Sequence, residues 1–137
     1  IGCLCAAVSD FRPKATLPGK FKKARFDSGF SIEFEGNPDI LKDLGRNKQK
    51  GQRLIGFAAE TEADLPALSK EKLDKKNLDL ICANRITDPG TGFTHATNSV
   101  FLLNKQGQSS RLPVMSKADI GWTIWDWILK SWTSTPG

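Results

Sequence analysis

The chain has little of what metal and redox chemistry need. Its single histidine, His95, cannot make a multi-histidine site, and no cysteine cluster stands beside it. The three cysteines are Cys3, Cys5 and Cys82. Cys3 and Cys5 are two positions apart in a predicted strand and so face one side of it. That spacing suits neither a zinc knuckle nor a redox pair, so the cysteines are expected to be small buried hydrophobes in a reducing compartment. No apolar run approaches the roughly 18 residues of a membrane span. The apolar opening, Ile1 to Val8, has no basic flank before it and is predicted as a strand rather than a signal peptide. An initiator methionine is missing, consistent with a start inside a longer polypeptide. Phosphate-loop signatures are missing too. There is no Gly-x-x-x-x-Gly-Lys-Ser/Thr and no Gly-x-Gly-x-x-Gly; Gly90-Thr91-Gly92 is too short and follows the wrong kind of segment. A Ser–His–Asp triad on His95 would draw on Ser99 and Asp88, which are near it only in sequence.

What is present is an ordinary globular balance. The 137 residues, 39% hydrophobic and 26% charged, suit one domain with one core. The net charge is +5, and its placement matters more than its size. Between Arg12 and Arg25 stand six cations (Arg12, Lys14, Lys20, Lys22, Lys23, Arg25) and no acid. Lys70, Lys72, Lys75 and Lys76 form a second cluster. Such clusters are either solvated basic faces or sites for phosphates. A nucleic-acid module is disfavoured, because the first cluster offers only Phe21 for base stacking.

Hydrophobic patterning predicts an alternating α/β order. Ile1 to Val8 reads as a strand buried on both faces. Arg12 to Arg25, with Pro13, Pro18 and Gly19, reads as a mobile loop. Phe30 to Phe34 alternates like a half-buried strand. Asn37-Pro38-Asp39 opens a helix that stops near Gly45, with Asn37 as N-cap, Pro38 in the first turn and Asp39 on the positive dipole end. Arg53 to Ala59 and Leu78 to Ala83 are buried strands. Between them lies a helix from Asp64 to Lys76, with Pro66 in its first turn and Leu65, Leu68 and Leu73 as its apolar stripe. Asp88 to Asn98 is a long loop. Ser99 to Leu103 and Ser109 to Val114 form a hairpin, and Ser116 with Asp119 makes a capping box for the last helix. That helix carries two stripes, one of Ile120, Ile124, Trp127 and Ile128, the other of Trp122, Trp125, Leu129 and Trp132. A surface helix needs one, so the second is expected to meet another domain or chain. The fold class is therefore α/β: Rossmann-like, a mainly parallel sheet flanked by helices, with a C-terminal hairpin.

In such sheets, ligands collect beyond the carboxyl ends of the strands. There the sequence places Asp10 and Phe11, Glu60 and Thr61, then Asn84 and Arg85. Add the helix start at Asn37, whose backbone N–H groups suit phosphate, and Lys72 with Lys76 on one helix face. The ensemble is an anion cradle with a carboxylate able to hold Mg²⁺.

These residues also resemble a known family, the phosphopantothenate–cysteine ligases. Ala6-Ala7-Val8-Ser9-Asp10-Phe11-Arg12-Pro13 followed by Lys20-Phe21-Lys22-Lys23 is similar to the family's Ala-Ala-Val-x-Asp-Tyr/Phe run and lysine loop. Asn37-Pro38-Asp39-Ile40-Leu41 resembles its Asn-Pro-Asp-Ile element, and Gly56-Phe57-Ala58-Ala59-Glu60-Thr61 its Gly-Phe-Ala-x-Glu-Thr strand end. Lys72, then Lys76 to Asn84, resembles its Lys-x-x-x-Lys-x-x-Asp segment ending in Ala-Asn. The motifs are specific in combination and order, and they span Ile1 to Met115.

The resemblance implies a ligase of coenzyme A biosynthesis. It would join 4′-phosphopantothenate and cysteine through an acyl-cytidylate, using CTP with Mg²⁺, as a cytoplasmic homodimer independent of membranes and nucleic acid. Lys20 would be the catalytic loop lysine, and Asp10 the metal ligand. Ala7, Asp10, Phe11, Lys20, Asn37, Pro38, Asp39, Ile40, Phe57, Lys72 and Lys76 would hold the nucleotide. Residues 1–137 would be the C-terminal part of the CTP-binding domain. FMN would belong only to a decarboxylase domain absent from this chain. Three departures stand out. Arg85 replaces the Asp that usually follows Ala-Asn; Thr94-His95-Ala96 replaces a Ser followed by an acid; and the family's Gly-Gly-Thr strand and Ser-Asn-x-Ser-Ser-Gly segment are missing. The chain is therefore expected to bind nucleotide without turning over alone, and the alternative is a non-catalytic nucleotide- or partner-binding relative.

Overall fold

The computed structural model describes residues 1–16, 19, 29–61, 64–89, 91 and 95–133. They form two units, Ile1–Cys5 with Leu41–Gly137, and Ala6–Ile40.

The first unit is built on a five-stranded sheet. Its strands are β1 (Gly2–Leu4), β4 (Leu54–Glu60), β5 (Leu80–Arg85), β7 (Phe101–Asn104) and β8 (Ser109–Arg111), side by side in that order. β1, β4 and β5 run parallel; β7 and β8 extend the sheet as an antiparallel hairpin. This is the Rossmann-like, flanked sheet that the pattern predicts. Alternation along β4 and β5 sorts side chains to two cores, because successive residues of a strand point to opposite faces. Ile55, Leu80 and Cys82 meet Leu102, Ile120, Ile124 and Ile128 on the face covered by α3 (Lys117–Thr133). Leu54 and Ile81 meet Leu73 and Leu78 on the face covered by α2 (Leu65–Lys75). Each such fully buried aliphatic side chain contributes roughly 1.5–3 kcal/mol of transfer free energy.

Local chemistry explains the ends of these elements. Asp64 caps α2 by accepting from the Ala67 N–H at 3.1 Å, and Pro66 sits in the first turn, where no N–H is missed. The Leu78 N–H donates to the Leu73 carbonyl, so Leu78 is spent closing α2 and β5 begins two residues later than expected. Asp79, 5% exposed, then joins three segments: it accepts from the Leu54 N–H at 2.8 Å, pairs with Lys48 at 2.9 Å and lies 3.5 Å from Arg53. Ser116 Oγ donates to Asp119 and accepts from its N–H, the expected capping box. The hairpin turns on Gly107, whose φ of 82° is the left-handed region that glycine enters without strain. Thr97–Asn98 (β6) and Met115–Ser116 (β9), unforeseen in the pattern, pair as a small ribbon beside it.

The second unit holds β2 (Phe11–Pro13) and β3 (Phe34–Gly36), paired antiparallel. α1 (Ile40–Arg46) follows.

Several expectations are corrected. β1 is three residues rather than Ile1 to Val8, because β4 is the only strand beside it among the described residues. It is an edge strand, and Cys3 and Cys5 are exposed; only Cys82 is a buried hydrophobe. The predicted loop from Arg12 begins inside β2, and the predicted strand Phe30 to Phe34 is displaced to Phe34–Gly36. That register is set by Arg12–Glu35 and Lys14–Glu33 pairs across the ribbon, and Phe30, Ile32 and Phe34 stay exposed. Finally, the second stripe of α3 is not uniform. Trp122, Trp125 and Leu129 are exposed, but Trp132 packs against the core with its ring 5.7 Å from the Arg53 guanidinium.

Candidate nucleotide site

Asn37 organises the second unit. Its backbone N–H donates to the Asp10 carbonyl at 2.8 Å, and its side-chain amide donates to the Ser9 carbonyl at 2.7 Å. Its Oδ1 lies 3.4 Å from Arg12 Nη1, and the Arg12 Nε donates to Glu35 at 2.7 Å. Ser9 Oγ donates to the Phe11 carbonyl, turning the chain between Asp10 and β2. These bonds place Asp10, Phe11 and Asn37 side by side. The sequence treats Asn37 as a helix N-cap with Pro38 in the first turn. Instead α1 begins at Ile40, and the Asn37 side chain is spent on the Ser9 carbonyl and Arg12. Phe11 is 62% exposed, so a flat apolar face stands in solvent beside an exposed carboxylate. A base can stack on the former.

In the other unit, Lys72 Nζ lies 2.5 Å from Glu60 Oε1, at the carboxyl end of β4. The Glu60 side chain is 12% exposed and that of Lys72 40%, so the acid is held largely out of water by a half-exposed cation. The sequence places Lys72 and Lys76 on one helix face. Lys76 instead follows the last helical turn as its C-cap, its backbone N–H donating to the Lys72 and Asp74 carbonyls. Gly45 lets α1 abut this end of α2: a Cβ there would stand 1.9 Å from the Lys76 carbonyl oxygen. Gly56 serves a related purpose in β4, where a Cβ would meet Leu41 at 2.7 Å and Leu78 at 2.9 Å. Phe57 packs on the α3 side of the sheet, whereas Lys72 and Glu60 meet on the α2 side. The sheet thus separates those two side chains.

The predicted residues accordingly divide. Ala7, Asp10, Phe11 and Asn37 to Ile40 belong to one unit; Phe57, Lys72 and Lys76 belong to the other. Lys20, with the cations Lys22, Lys23 and Arg25, lies outside the described residues. Among the described residues no three His, Cys, Asp or Glu side chains converge as a metal cluster. Mg²⁺ asks for less when it travels with phosphates, since one or two carboxylates and water complete its shell. Asp10, a single exposed carboxylate, fits that donor set. Sequence reasoning missed the Glu60–Lys72 pair, although Glu60 at a strand end was a signal. It also missed the Asn37 bonds, which no spacing rule announces.

With this geometry in hand, the comparisons with known proteins are specific. The sequence model of the DNA/pantothenate metabolism flavoprotein C-terminal domain matches residues 1–131. The chain is 46% identical over 119 residues to the coenzyme A biosynthesis bifunctional protein CoaBC of Bacillus subtilis (strain 168), covering 87% of this chain and 28% of that protein. It is 37% identical over 120 residues to a cysteine/cysteine sulfinic acid decarboxylase of an unknown prokaryotic organism, covering 88% of this chain and 33% of that protein. A crystal structure of the C-terminal domain of CoaBC superposes with a TM-score of 0.69 at 31% identity, covering 98% of this chain and 57% of that one. The chain thus spans about a third or less of these two relatives' length, and little more than half of the solved domain.

Proposed function

We infer the function from one premise: the chain belongs to the DNA/pantothenate metabolism flavoprotein C-terminal domain family. We propose that it is the nucleotide-binding part of a phosphopantothenate–cysteine ligase that uses CTP. The observation that carries the reading is the Asn37 junction, which sets Asp10 and Phe11 beside the Asn37-Pro38-Asp39-Ile40 element. Both segments fall within the motifs by which the sequence resembles the phosphopantothenate–cysteine ligases.

In the proposed reaction the carboxylate of 4′-phosphopantothenate attacks the α-phosphorus of CTP. Pyrophosphate leaves and an acyl-cytidylate forms; the cysteine amine then attacks the acyl carbon, and CMP leaves as the amide forms. The protein must bind a polyphosphate, orient it and offset charge as pyrophosphate departs. Phe11 would stack the base, and Asn37 to Ile40 would line the phosphates, with Ala7 at the pocket wall. Lys72 and Lys76 would add cations, Phe57 a hydrophobic contact. Asp10 would hold Mg²⁺, which neutralises triphosphate charge when bound. Lys20 would meet charge that develops on the α-phosphate, so Lys20→Gln in a complete ligase should lower turnover far more than CTP affinity.

Isothermal titration of the 137-residue chain with CTP and Mg²⁺, set against a single-stranded oligonucleotide, tests the reading. Saturable CTP binding without oligonucleotide binding is the expected result; absence of CTP binding would overturn it. A second reading is a non-catalytic nucleotide- or partner-binding relative, favoured by the exposed Trp122, Trp125 and Leu129 of α3. CTP binding without ligase activity in any longer form would select it. We further propose a homodimer in the cytoplasm. No helix among the described residues is long and apolar enough to cross a membrane.

A further inference from the structure

Arg85 ends β5 at the carboxyl edge of the parallel strands, and its strand partner is Glu60. Neighbours in register present their side chains to one face of a sheet, here the face of α2. The Glu60 charge is already met by Lys72. Among the described residues, the counter-charge left for Arg85 is Asp88, 3.4 Å from its Nε. That contact lacks hydrogen-bond geometry, and the Nε is closed to water with no acceptor among the described residues. The Arg85 and Asp88 side chains are 32% and 33% exposed, so the ion pair is mostly but not wholly withdrawn from water.

The backbone around it is clamped. The Ile86 N–H donates to the Glu60 carbonyl at 3.0 Å. Thr91, 3% exposed, brings its hydroxyl within 2.8 Å of the Arg85 carbonyl and 2.7 Å of the Asp88 carbonyl. Arg85 is therefore a planar cation with five N–H donors, set at a hydrogen-bonded turn. Its one internal counter-ion is loosely placed. A phosphate or carboxylate accepts two parallel bonds from a guanidinium and satisfies it better than Asp88 does.

We propose that Arg85 is an anion-recognising residue of the candidate site. It would bind a phosphate group of the ligand at the carboxyl edge of β5, with Asp88 as the counter-ion it leaves. The location rests on the nucleotide reading of that edge; the guanidinium chemistry does not. The phosphate could come from the nucleotide or from a phosphorylated acid, and the test separates the two.

Label the chain with ¹⁵N and follow the arginine Nε–H resonances, assigning Arg85 by its loss in Arg85→Gln. Titrate inorganic tripolyphosphate, CTP with Mg²⁺, and 4′-phosphopantothenate. The Arg85 resonance should move saturably with tripolyphosphate. Arg85→Gln should weaken that binding about tenfold, as expected for one charge-assisted bidentate contact. Arg85→Lys should restore part of the affinity, and Asp88→Asn should tighten it about threefold by removing the competing carboxylate. Lys70→Gln, an exposed helix position paired with Asp74, is the control for general charge loss. An Arg85 resonance that none of the three moves overturns the proposal. So does equal affinity of wild type and Arg85→Gln. Whichever of CTP and 4′-phosphopantothenate loses affinity in Arg85→Gln supplies the phosphate. If tripolyphosphate shifts Arg85 but CTP does not bind, the nucleotide reading fails and this inference stands. If CTP binds without involving Arg85 and the other two probes leave it unmoved, the reverse holds.

Discussion

Lys72 and Glu60 form one ion pair, 2.5 Å apart, that ties α2 to the last residue of β4. An exposed lysine four residues from another cation would be a generic part of a basic face. A lysine that also anchors a mostly buried carboxylate has two tasks, and mutation can separate them. Lys72→Gln should weaken CTP binding several-fold, and Glu60→Gln should not, because it leaves the cation in place and unpaired. Both should cost about 1 kcal/mol of stability or less, since Lys72 is half-exposed. Titration calorimetry with thermal unfolding on both variants checks this. Equal loss of affinity in the two would show that the pair is only structural.

Gly45 and Gly121 should respond oppositely to alanine. At Gly45 the added Cβ would meet the Lys76 carbonyl oxygen at 1.9 Å, and a backbone atom cannot swing away. Gly45→Ala should destabilise by about 3 kcal/mol or more, the upper end of overpacking costs. Gly121 lies inside α3 with nothing within 4 Å of the new atom. Gly121→Ala should therefore stabilise by roughly 0.5–1 kcal/mol through helix propensity. Urea midpoints of the two variants decide it, and a destabilised Gly121→Ala would contradict the placement of α3.

The thiols should separate by reactivity and by pH. Burial, with smaller contributions from Cys3 and Cys5, pushes the Cys82 thiol well above its ordinary range. Partial desolvation of its strand position, and then Cys5, push the Cys3 thiol up although the residue is exposed. Cys82 should resist an aromatic disulfide reagent until unfolding, whereas Cys3 and Cys5 react in the native chain. The linkage has one sign. Above about pH 9 the unfolded chain loses the proton that folded Cys82 keeps, so stability falls as pH rises, by at most about 1.4 kcal/mol per unit. Cys82→Ala should show a shallower decline between pH 8.5 and about 10.5 in urea denaturation. Matching slopes would refute the buried-thiol account.

Self-association should run through α3. Trp122 is 73% exposed, with Trp125 and Leu129 also exposed on the same helix. Apolar surface of that kind marks contact sites when it is contiguous. Sedimentation at micromolar concentration should give a dimer, and Trp122→Ser with Trp125→Ser should give a monomer of unchanged helix content. A monomeric wild-type chain would count against the dimer.

The order of the elements of the main sheet and its helices, the two sheet-buried strands, both long helices and the capping box were legible in the sequence. Each is set by local rules: hydrophobic period, Pro and Asp at a helix start, Ser and Asp three residues apart. So was the family, through its motifs, because residue identity at fixed spacing survives without coordinates. Other features depended on which segments meet. β1 is short, and Cys3 in it and Cys5 just beyond it are exposed, because β4 is its only strand neighbour among the described residues. Asn37 leaves the cap position because the Ser9 carbonyl and Arg12, 28 and 25 residues away in sequence, compete for its amide. Trp132 leaves its exposed stripe because Arg53 stands within reach of its ring. A one-dimensional pattern records what a residue prefers; its partner is chosen by chain segments brought close in space, and that choice sets which charge on this chain is spent and which remains for a ligand.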